Sequence, residues 1–238
     1  MAVSVIEPLK RLNNKDFYVC RETIYAFIYS SGMASLSLYR YLHNSFKKRR
    51  KRFQRKLRHS RGIPEIFHIN KRPDDVCKRN NFGHWEGDLM LFKQDYGNTN
   101  LTTLVERKSR YCIMIKNQTR GSVAVMESIK NKLSSLPIHL RRSITFDRGS
   151  KFLAWQVLER QLELGSYYCD PRSPWQRGTN ENTNGRIRRF LPRDTNLNEL
   201  SDKELRKLST QINTTPRKCL AYNTPHEVFQ KYLQEITA

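Results

Sequence analysis

The sequence predicts an α/β fold, a mixed five-stranded sheet flanked by helices and preceded by a small, basic helical segment. Two observations lead to this prediction. β-rich and helical patterns alternate after residue 78, and a dense run of Lys and Arg lies ahead of them. The 238 residues are 37% hydrophobic and include eleven Phe and eleven Tyr, enough to build a core.

The order of elements after residue 78 is β-β-β-α-β-α-β-α. Three β-rich runs separated only by turn residues predict an antiparallel meander, because short turns join antiparallel neighbours. Helical spacing of apolar residues then alternates with two short strand runs, and further helices follow. The predicted strands are 84–93, 100–108, 110–117, 142–147 and 166–170, and the predicted helices are 121–136, 152–165, 179–191, 202–213 and 225–236.

The formal net charge of +22 and the isoelectric point of about 10.1 indicate a polyanionic partner. Nucleic acid is the first candidate and an anionic membrane surface the second. No run approaches the ~18–20 apolar residues that span a membrane, and the N-terminus lacks a signal peptide's hydrophobic region. We therefore expect a soluble, cytoplasmic, nucleoid-associated protein without a membrane partner.

The five cysteines are scattered through the chain, and none belongs to a C-x-x-C pair. An odd, dispersed set predicts reduced thiols and no disulfide framework. His59, His68 and Cys77 lack the short spacings of zinc ligands, so no zinc site is expected.

The region before residue 78 divides into a helical part and a basic run. Apolar residues in 24–42 predict two short helices broken at Ser31 and Gly32, which leaves open a helix-turn-helix remnant or a hairpin that only packs. Residues 47–61 contain ten Lys or Arg and no acid, which predicts contact with a phosphate backbone. The predicted domains are a helical, basic DNA-binding segment over 1–61, a proline-containing linker over 62–77 and the α/β domain over 78–238.

Three carboxylates indicate metal chemistry. Asp88 interrupts an apolar strand, where a lone buried carboxylate would be costly. Asp147 follows the apolar residues of the fourth strand, at the end where α/β sheets bind ligands. Glu181 belongs to the helix 179–191. Brought together, the three would repel one another unless a divalent cation lay between them, and two Mg²⁺ or Mn²⁺ ions suit such oxygen ligands.

The helix that carries Glu181 is predicted to be amphipathic in an unusual way. Steps of about 100° place Asn184 and Arg188 beside Glu181. The predicted ends of the helix are Thr179, as the N-cap, and Pro192. The apolar residues on the opposite side are Ile187, Phe190 and Leu191.

Each acid also has an ordinary interpretation when it is taken alone. Asp88 could pair with an arginine, Asp147 could accept a turn hydrogen bond from Gly149, and Glu181 could form salt bridges along its helix. The three together, on those elements in that order, favour a metal site. Two further acids are interpreted as supporting or structural residues, Glu86 and Glu106.

Five blocks of the sequence are distinctive: "GHWEGDL", "TLVERKSR", "ITFDRGSKF", "DPRSPWQRGTNENTNG" and "NTTPRKCLAYNTPHEVF". In this order they resemble the catalytic domain of bacterial insertion-sequence transposases of the IS30 family, over roughly residues 60 to 230. That family belongs to the DDE class, which has a retroviral-integrase-like, RNase H-like core. The resemblance therefore implies an RNase H-like sheet in a catalytic domain over 78–238.

The resemblance implies that Asp88, Asp147 and Glu181 form a catalytic, metal-binding triad that holds two Mg²⁺ or Mn²⁺ ions. The 33 residues between Asp147 and Glu181 resemble the family's separation. The family's pattern differs after Asp147, where Arg148 and Lys151 replace the usual Asn and acidic residue. The expected DNA contacts are Arg188, Arg177, Asn184, Lys48, Arg49, Arg50, Lys51 and Arg52.

The implied activity is cleavage of DNA at the element ends, followed by attack of the freed 3′-hydroxyl on target DNA. The implied partners are the terminal inverted repeats, the target DNA and further copies of the chain in a homo-oligomer. Two alternatives remain open. One is a catalytically inactive, truncated transposase that acts only as a DNA-binding protein, and the other is an RNase H-type nuclease that cuts RNA in hybrids without joining strands.

Overall fold

A five-stranded mixed sheet lies at the centre of the protein. The computed structural model describes residues 21–41, 64–171 and 173–237. The strands are β1 (His84–Leu91), β2 (Asn100–Glu106), β3 (Cys112–Asn117), β4 (Ser143–Phe146) and β5 (Gly165–Tyr168). Their order is β3-β2-β1-β4-β5, in which β1, β2 and β3 are antiparallel neighbours and β1, β4 and β5 are parallel. With helices on both faces, this is the predicted RNase H-like fold.

The helices after the meander lie close to their predicted positions. All of the α-helices in the described ranges are α1 (Arg21–Ile28), α2 (Asp74–Lys78), α3 (Ser122–Ser134), α4 (Gln156–Leu162), α5 (Gly178–Ile187), α6 (Asp202–Asn213) and α7 (Pro225–Thr237). In those ranges, none of the helices has the length and apolar character required to cross a bilayer.

Side chains alternate across β1 and therefore contribute to two hydrophobic clusters. Trp85 and Leu89 pack with α3, α4 and α7 in one cluster, while Met90 packs with α5 and α6 in the other. Glu86 and Asp88 share the face of Met90, and both accept hydrogen bonds from α5. The pleat of β1 thus directs two acids toward one helix.

The segment 64–78 packs against the sheet, which differs from the linker predicted over 62–77. Phe67 is 8% exposed and its ring lies 4.0 Å from that of Trp155, while Val76 is 2% exposed. Arg72 donates to Thr145 Oγ1 of β4 at 3.1 Å. The two prolines in this segment precede short helices, where a fixed φ is tolerated, instead of marking an extended connection. The division of the chain into domains stays a prediction.

The helical residues before the sheet only partly match the predicted pair of helices. α1 corresponds to the first helix, but 3₁₀ turns, Ser31–Leu36 and Leu38–Tyr41, replace the second. Phe27 and Leu36 do not enter the core, because they are 55% and 60% exposed. Arg189, just after α5, donates to the Tyr41 carbonyl at 3.2 Å. The helix-turn-helix interpretation stays a prediction.

Candidate active site

Asp88 is presented in β1 on the face that α5 covers. Asn184 of α5 donates its side-chain amide to Asp88 Oδ2 at 2.8 Å. Thr103, which is opposite Asp88 in the β1–β2 register, donates its hydroxyl to Asn184 Oδ1 at 2.8 Å. This chain of two hydrogen bonds orients the Asp88 carboxylate, whose side chain is 27% exposed.

One guanidinium group joins the two aspartates of the predicted triad. Arg177 Nη1 lies 3.3 Å from Asp88 Oδ1, and Arg177 Nη2 lies 3.5 Å from Asp147 Oδ2. Nη1 also donates to the Gly87 carbonyl at 3.2 Å. Burial lowers the pKa of Arg177, but Asp88 and Asp147 outweigh burial and raise this pKa above its ordinary value. Carboxylates from two neighbouring parallel strands therefore converge on one positive charge.

Asp147 follows β4 directly, at the end of the strand where the sequence predicts a ligand. Its Oδ1 accepts a hydrogen bond from the Gly149 N–H at 2.9 Å, and its side chain is 41% exposed. The ordinary interpretations of Asp88 and Asp147, an arginine partner and a turn hydrogen bond, are thus both observed. Neither contact withdraws the carboxylates from solvent. Both carboxylates are accessible and both already contact the guanidinium group of Arg177. Carboxylate oxygens placed in this way are suitable ligands for Mg²⁺ or Mn²⁺.

Glu181 is exposed on α5, three residues before Asn184. It forms no ion pair within the ranges that the structure describes. In the same ranges, no three His, Cys, Asp or Glu side chains are close enough together to hold a metal ion. The structure therefore brings Asp88 and Asp147 together and leaves Glu181 outside that cluster, on the helix that covers them.

Buried polar contacts hold the start of α5 against β1 and β2. Asn180, which is 0% exposed, donates its side chain to the carbonyls of Glu86 at 2.8 Å and Thr103 at 3.2 Å. The Asn180 N–H donates to Glu86 Oε2 at 2.8 Å, and Arg107 pairs with Glu86 Oε1. Pairing makes a buried carboxylate tolerable. The pairing of Glu86 agrees with its interpretation as a structural residue, and Glu106 accepts hydrogen bonds from the N–H groups of Lys108 and Ser109 in its own turn.

The two ends of α5 differ from the predicted helix. The helix begins at Gly178 because a 3₁₀ turn leads directly into it, so Thr179 lies inside the helix instead of capping it. It ends at Ile187, which is 0% exposed. Leu191 is 4% exposed and reaches the core, whereas Phe190, predicted on the apolar side, is 45% exposed.

Arg188 lines a cleft of about 570 Å³ beside Asp88, together with Asn184 and Arg193. Its Nη2 donates to the Leu91 carbonyl at 2.7 Å, which fixes the guanidinium against the end of β1. Burial, and then the nearby Arg193, lower the pKa of Arg188. The cleft next to the aspartates is therefore cationic. The other predicted DNA contacts, Lys48, Arg49, Arg50, Lys51 and Arg52, lie outside the described residues.

Known proteins align with most of the length of this sequence. Over 221 residues, 91% of the chain, it is 36% identical to "Transposase InsI for insertion sequence element IS30A" of Escherichia coli K12, of which 57% is covered. It is also 36% identical over 229 residues, 93% of the chain, to the transposase for insertion sequence element IS1086 of Cupriavidus metallidurans, of which 65% is covered. Over that span, the chain belongs to the IS30 family of insertion-sequence transposases. It spans less than two-thirds of the length of these two curated relatives.

No family model matches this IS30-family chain. Among solved structures, the catalytic core domain of BIV integrase superposes with a TM-score of 0.49 at 15% identity, covering 66% of this chain and 99% of that one. A TM-score below 0.5 does not establish a common fold. The RNase H-like assignment follows from the strand order and directions.

Arg148 and Lys151, which stand where the resemblance implies an Asn and an acidic residue, lie beside the aspartates. Arg148 donates Nε to the Cys169 carbonyl at 2.8 Å and lies 3.7 Å from Asp170, so the end of β5 holds its guanidinium. Burial lowers the pKa of Lys151, and Asp147 opposes that shift. Arg148 and Lys151 therefore add positive charge around Asp147 without forming an ion pair with its carboxylate within the described residues.

Two contacts of this IS30-family site were not predicted from the sequence. Asn180 gives a weak signal, because steps of about 100° place it on the same side of the helix as the buried Ile187. Arg177 gives none, because its bridge depends on Asp147, which lies 30 residues earlier in the chain. A contact made across the fold leaves no local pattern.

Proposed function

We propose that this chain is the catalytic portion of a DNA transposase, which cleaves DNA at insertion-sequence ends and joins the freed strand to target DNA. One observation carries the proposal. In a chain of the IS30 family, Asp88 of β1 and Asp147 after β4 converge on the guanidinium group of Arg177. The net charge of +22 supports a DNA substrate.

The proposed metal ligands are Asp88, Asp147 and Glu181, for two Mg²⁺ or Mn²⁺ ions. When bound there, such ions activate the attacking oxygen and stabilise the leaving oxygen in phosphodiester chemistry. Asn184 keeps the Asp88 carboxylate oriented toward that position. Arg177 neutralises the two aspartates in the metal-free protein, and once displaced its guanidinium is available to a DNA phosphate.

The proposed DNA contacts surround the aspartates and continue into the basic run. Arg188 and Asn184 line the cleft that Asp88 also lines, and Arg177 contacts Asp88. The proposed DNA partners are the terminal inverted repeats and the target. Because two ends must be joined, we include a homo-oligomer in the proposal. The basic run adds Lys48, Arg49, Arg50, Lys51 and Arg52 as backbone contacts.

The experiment is a nicking and strand-transfer assay on duplex DNA carrying the inverted repeats that flank the gene. We expect Mg²⁺-dependent nicks and joined products from the native protein. Glu181→Gln should remove both, because the carboxylate charge is lost while the side chain keeps its size. Glu159→Gln, which changes an exposed acid on α4, is the matched control and should retain both activities.

Each of the other outcomes of the assay would favour a different function or a different set of catalytic residues. Absence of nicking by the native chain, with DNA binding retained, would favour the DNA-binding-only alternative. Equal nicking by the native protein and Glu181→Gln would refute the triad. Cleavage of RNA in hybrids without joined DNA products would favour an RNase H-type nuclease.

A further inference from the structure

A second cationic site lies on a different side of α5 from Glu181. A cavity of about 370 Å³ opens between α5, the residue after α2, the β2–β3 turn and the segment after α6. This volume is within the ~300–1,000 Å³ usual for ligand sites. None of the lining residues within the described chain is acidic. Five of them are cationic, namely Arg79, Arg110, Arg186, Arg217 and Lys218.

Arg217 shows that these charges are not balanced from within. It lines the cavity and is 6% exposed. Its Nη2 donates to the Ile212 carbonyl at 2.9 Å, but its Nη1 is buried and has no hydrogen-bond partner among the described residues. An unsatisfied N–H of a buried guanidinium is costly, so this uncompensated positive charge favours an anion in the cavity that Arg217 lines.

Two further arginines meet at one hydroxyl group. Arg79 Nη2 and Arg110 Nη1 lie 3.2 Å and 3.1 Å from Thr179 Oγ1. Within the described ranges, neither Arg79 nor Arg110 forms an ion pair with a carboxylate, and the nearby Glu86 is already paired with Arg107. Thr179 therefore aligns two guanidinium groups at the wall of the cavity.

The pKa values of the lining arginines agree with a missing counter-charge. Burial, and then Arg186, lower the pKa of Arg217 to about 10. Burial, and then Arg110, lower the pKa of Arg79. In each case the protonated form is destabilised, and an anion in the cavity would reverse that effect.

The cavity faces away from the carboxylates of the proposed active site. Thr179 and Arg186 share one side of α5 with Asn182 and Thr183, whereas Glu181 lies roughly 140° around the helix from Arg186. A DNA strand seated at the aspartates would therefore not fill this cavity with the same phosphates.

We propose that this cavity binds a backbone phosphate of DNA outside the strand that is cleaved. The DNA source rests on the proposed function, whereas the phosphate chemistry does not. Cationic donors without an acid suit a phosphate, and planar guanidinium groups recognise phosphate oxygens in pairs.

Cys219 provides a direct probe of occupancy, since it is an exposed free thiol that lines the cavity. Alkylation by N-ethylmaleimide would be followed at Cys219 and at the exposed Cys77 by mass spectrometry, in EDTA. Inorganic phosphate at about ten times its dissociation constant should slow alkylation of Cys219 about tenfold relative to chloride of equal ionic strength. Duplex DNA should do the same, and Cys77 should be unaffected by phosphate.

A substitution at the exposed Lys218 tests whether DNA supplies the phosphate, because Lys218→Gln removes one positive charge from the lining of the cavity. We expect it to lower the slope of log affinity against log salt by about 1, as expected for the loss of one phosphate contact. Lys207→Gln removes the same charge from an exposed position on α6 and should change the slope less.

The outcomes separate this inference from the proposed function, because neither assay requires cleavage. If neither phosphate nor DNA protects Cys219, the inference is overturned, whatever the nicking assay shows. If phosphate protects and DNA does not, DNA is overturned as the source of the phosphate. If both protect and Lys218→Gln lowers the salt slope, the inference is supported even for a chain that cannot cleave.

Discussion

Gly87 directly precedes Asp88 in β1, and its missing side chain leaves room for Phe146 of β4. A Cβ built on Gly87 would lie 2.5 Å from Cε1 and 2.8 Å from Cδ1 of Phe146. Phe146 cannot move aside easily, since it is fully buried and stacks on Phe152. We expect Gly87→Ala to lower the free energy of unfolding by about 1–3 kcal/mol, measured by urea denaturation.

The matched control is the same substitution in α5. A Cβ on Gly185 would meet nothing within 4 Å. Alanine is favoured over glycine in a helix, so Gly185→Ala should raise the free energy of unfolding by about 0.5–1 kcal/mol. Equal effects of the two substitutions would contradict the assigned contact with Phe146.

His84 makes the stability of the fold sensitive to acid. Burial, followed by Arg142 and Arg107, lowers the pKa of His84 to about 4, and its Nδ1 lies 2.8 Å from Ser143 Oγ. The unfolded chain, with a histidine pKa of about 6.5, binds a proton more readily, so stability is complete above pH ~6.5 and falls as the pH approaches 4. The loss should reach about 2–3 kcal/mol.

The measurement is urea unfolding at several pH values for the native protein and His84→Asn. The difference between the two free energies of unfolding isolates His84 from the carboxylates that titrate nearby. It should shrink from pH 7 to pH 4. A difference that stays constant would show that His84 is not the group responsible.

At the scale of elements, α5 supplies most of the contacts that shape the site. Asn180 and Ile187 attach it to the sheet, Asn184 orients Asp88, and Arg186 contributes to the cationic cavity. Apolar periodicity predicts the attachment by Ile187, because burial of that stripe is a local property of the sequence. The polar contacts are not predictable in this way, since each depends on β1, β2 or the turn that follows them.

The strands and the last helices were predictable for a similar physical reason. Period-two alternation fixes which residues of β1 face each layer, and the helical stripe of α6 agrees with its observed bounds. The packing of segment 64–78 was not predictable from the sequence, because prolines are common both in linkers and in short helical turns. Its burial comes in part from the contact of Phe67 with Trp155, which lies far along the chain just before α4.

The start of α6 is specified by its N-cap. Ser201 Oγ accepts a hydrogen bond from the Glu204 N–H at 3.2 Å, and Glu204 Oε2 accepts one from the Ser201 N–H at 2.8 Å. Ser201→Ala should lower the free energy of unfolding by about 1 kcal/mol, measured by thermal or urea denaturation. Ser201→Asp retains a capping oxygen and should retain most of the stability. If the two substitutions had the same cost, the cap would not be its cause.

At the scale of the whole molecule, the meander β1–β3 and the parallel pair β4–β5 meet where Arg177 bridges Asp88 and Asp147. Replacing Arg177 by Gln removes the charge that competes with a divalent cation. In EDTA this variant should melt below the native protein because the two aspartates then repel each other. Mn²⁺ should stabilise it more than the native protein, by about 1.4 kcal/mol for a tenfold gain in affinity at saturating metal.

Differential scanning calorimetry with EDTA and with Mn²⁺ measures both effects. Lys207→Gln, which removes a charge from an exposed site on α6, should respond to Mn²⁺ as the native protein does. Asp147→Asn should lose the response to Mn²⁺. Equal Mn²⁺ shifts in the native protein and Arg177→Gln would contradict competition between the guanidinium and the metal.

The packing of 64–78 determines where this molecule can be recombined with another. A chimera joined at residue 78 would leave behind Phe67 and Val76 and expose the surface of Trp155 that Phe67 covers. A chimera joined ahead of Pro64 would carry the RNase H-like unit with these contacts intact. We therefore expect an exchangeable module to begin about twenty residues before the first strand, at a distance set by side-chain contacts that the strand pattern does not reveal.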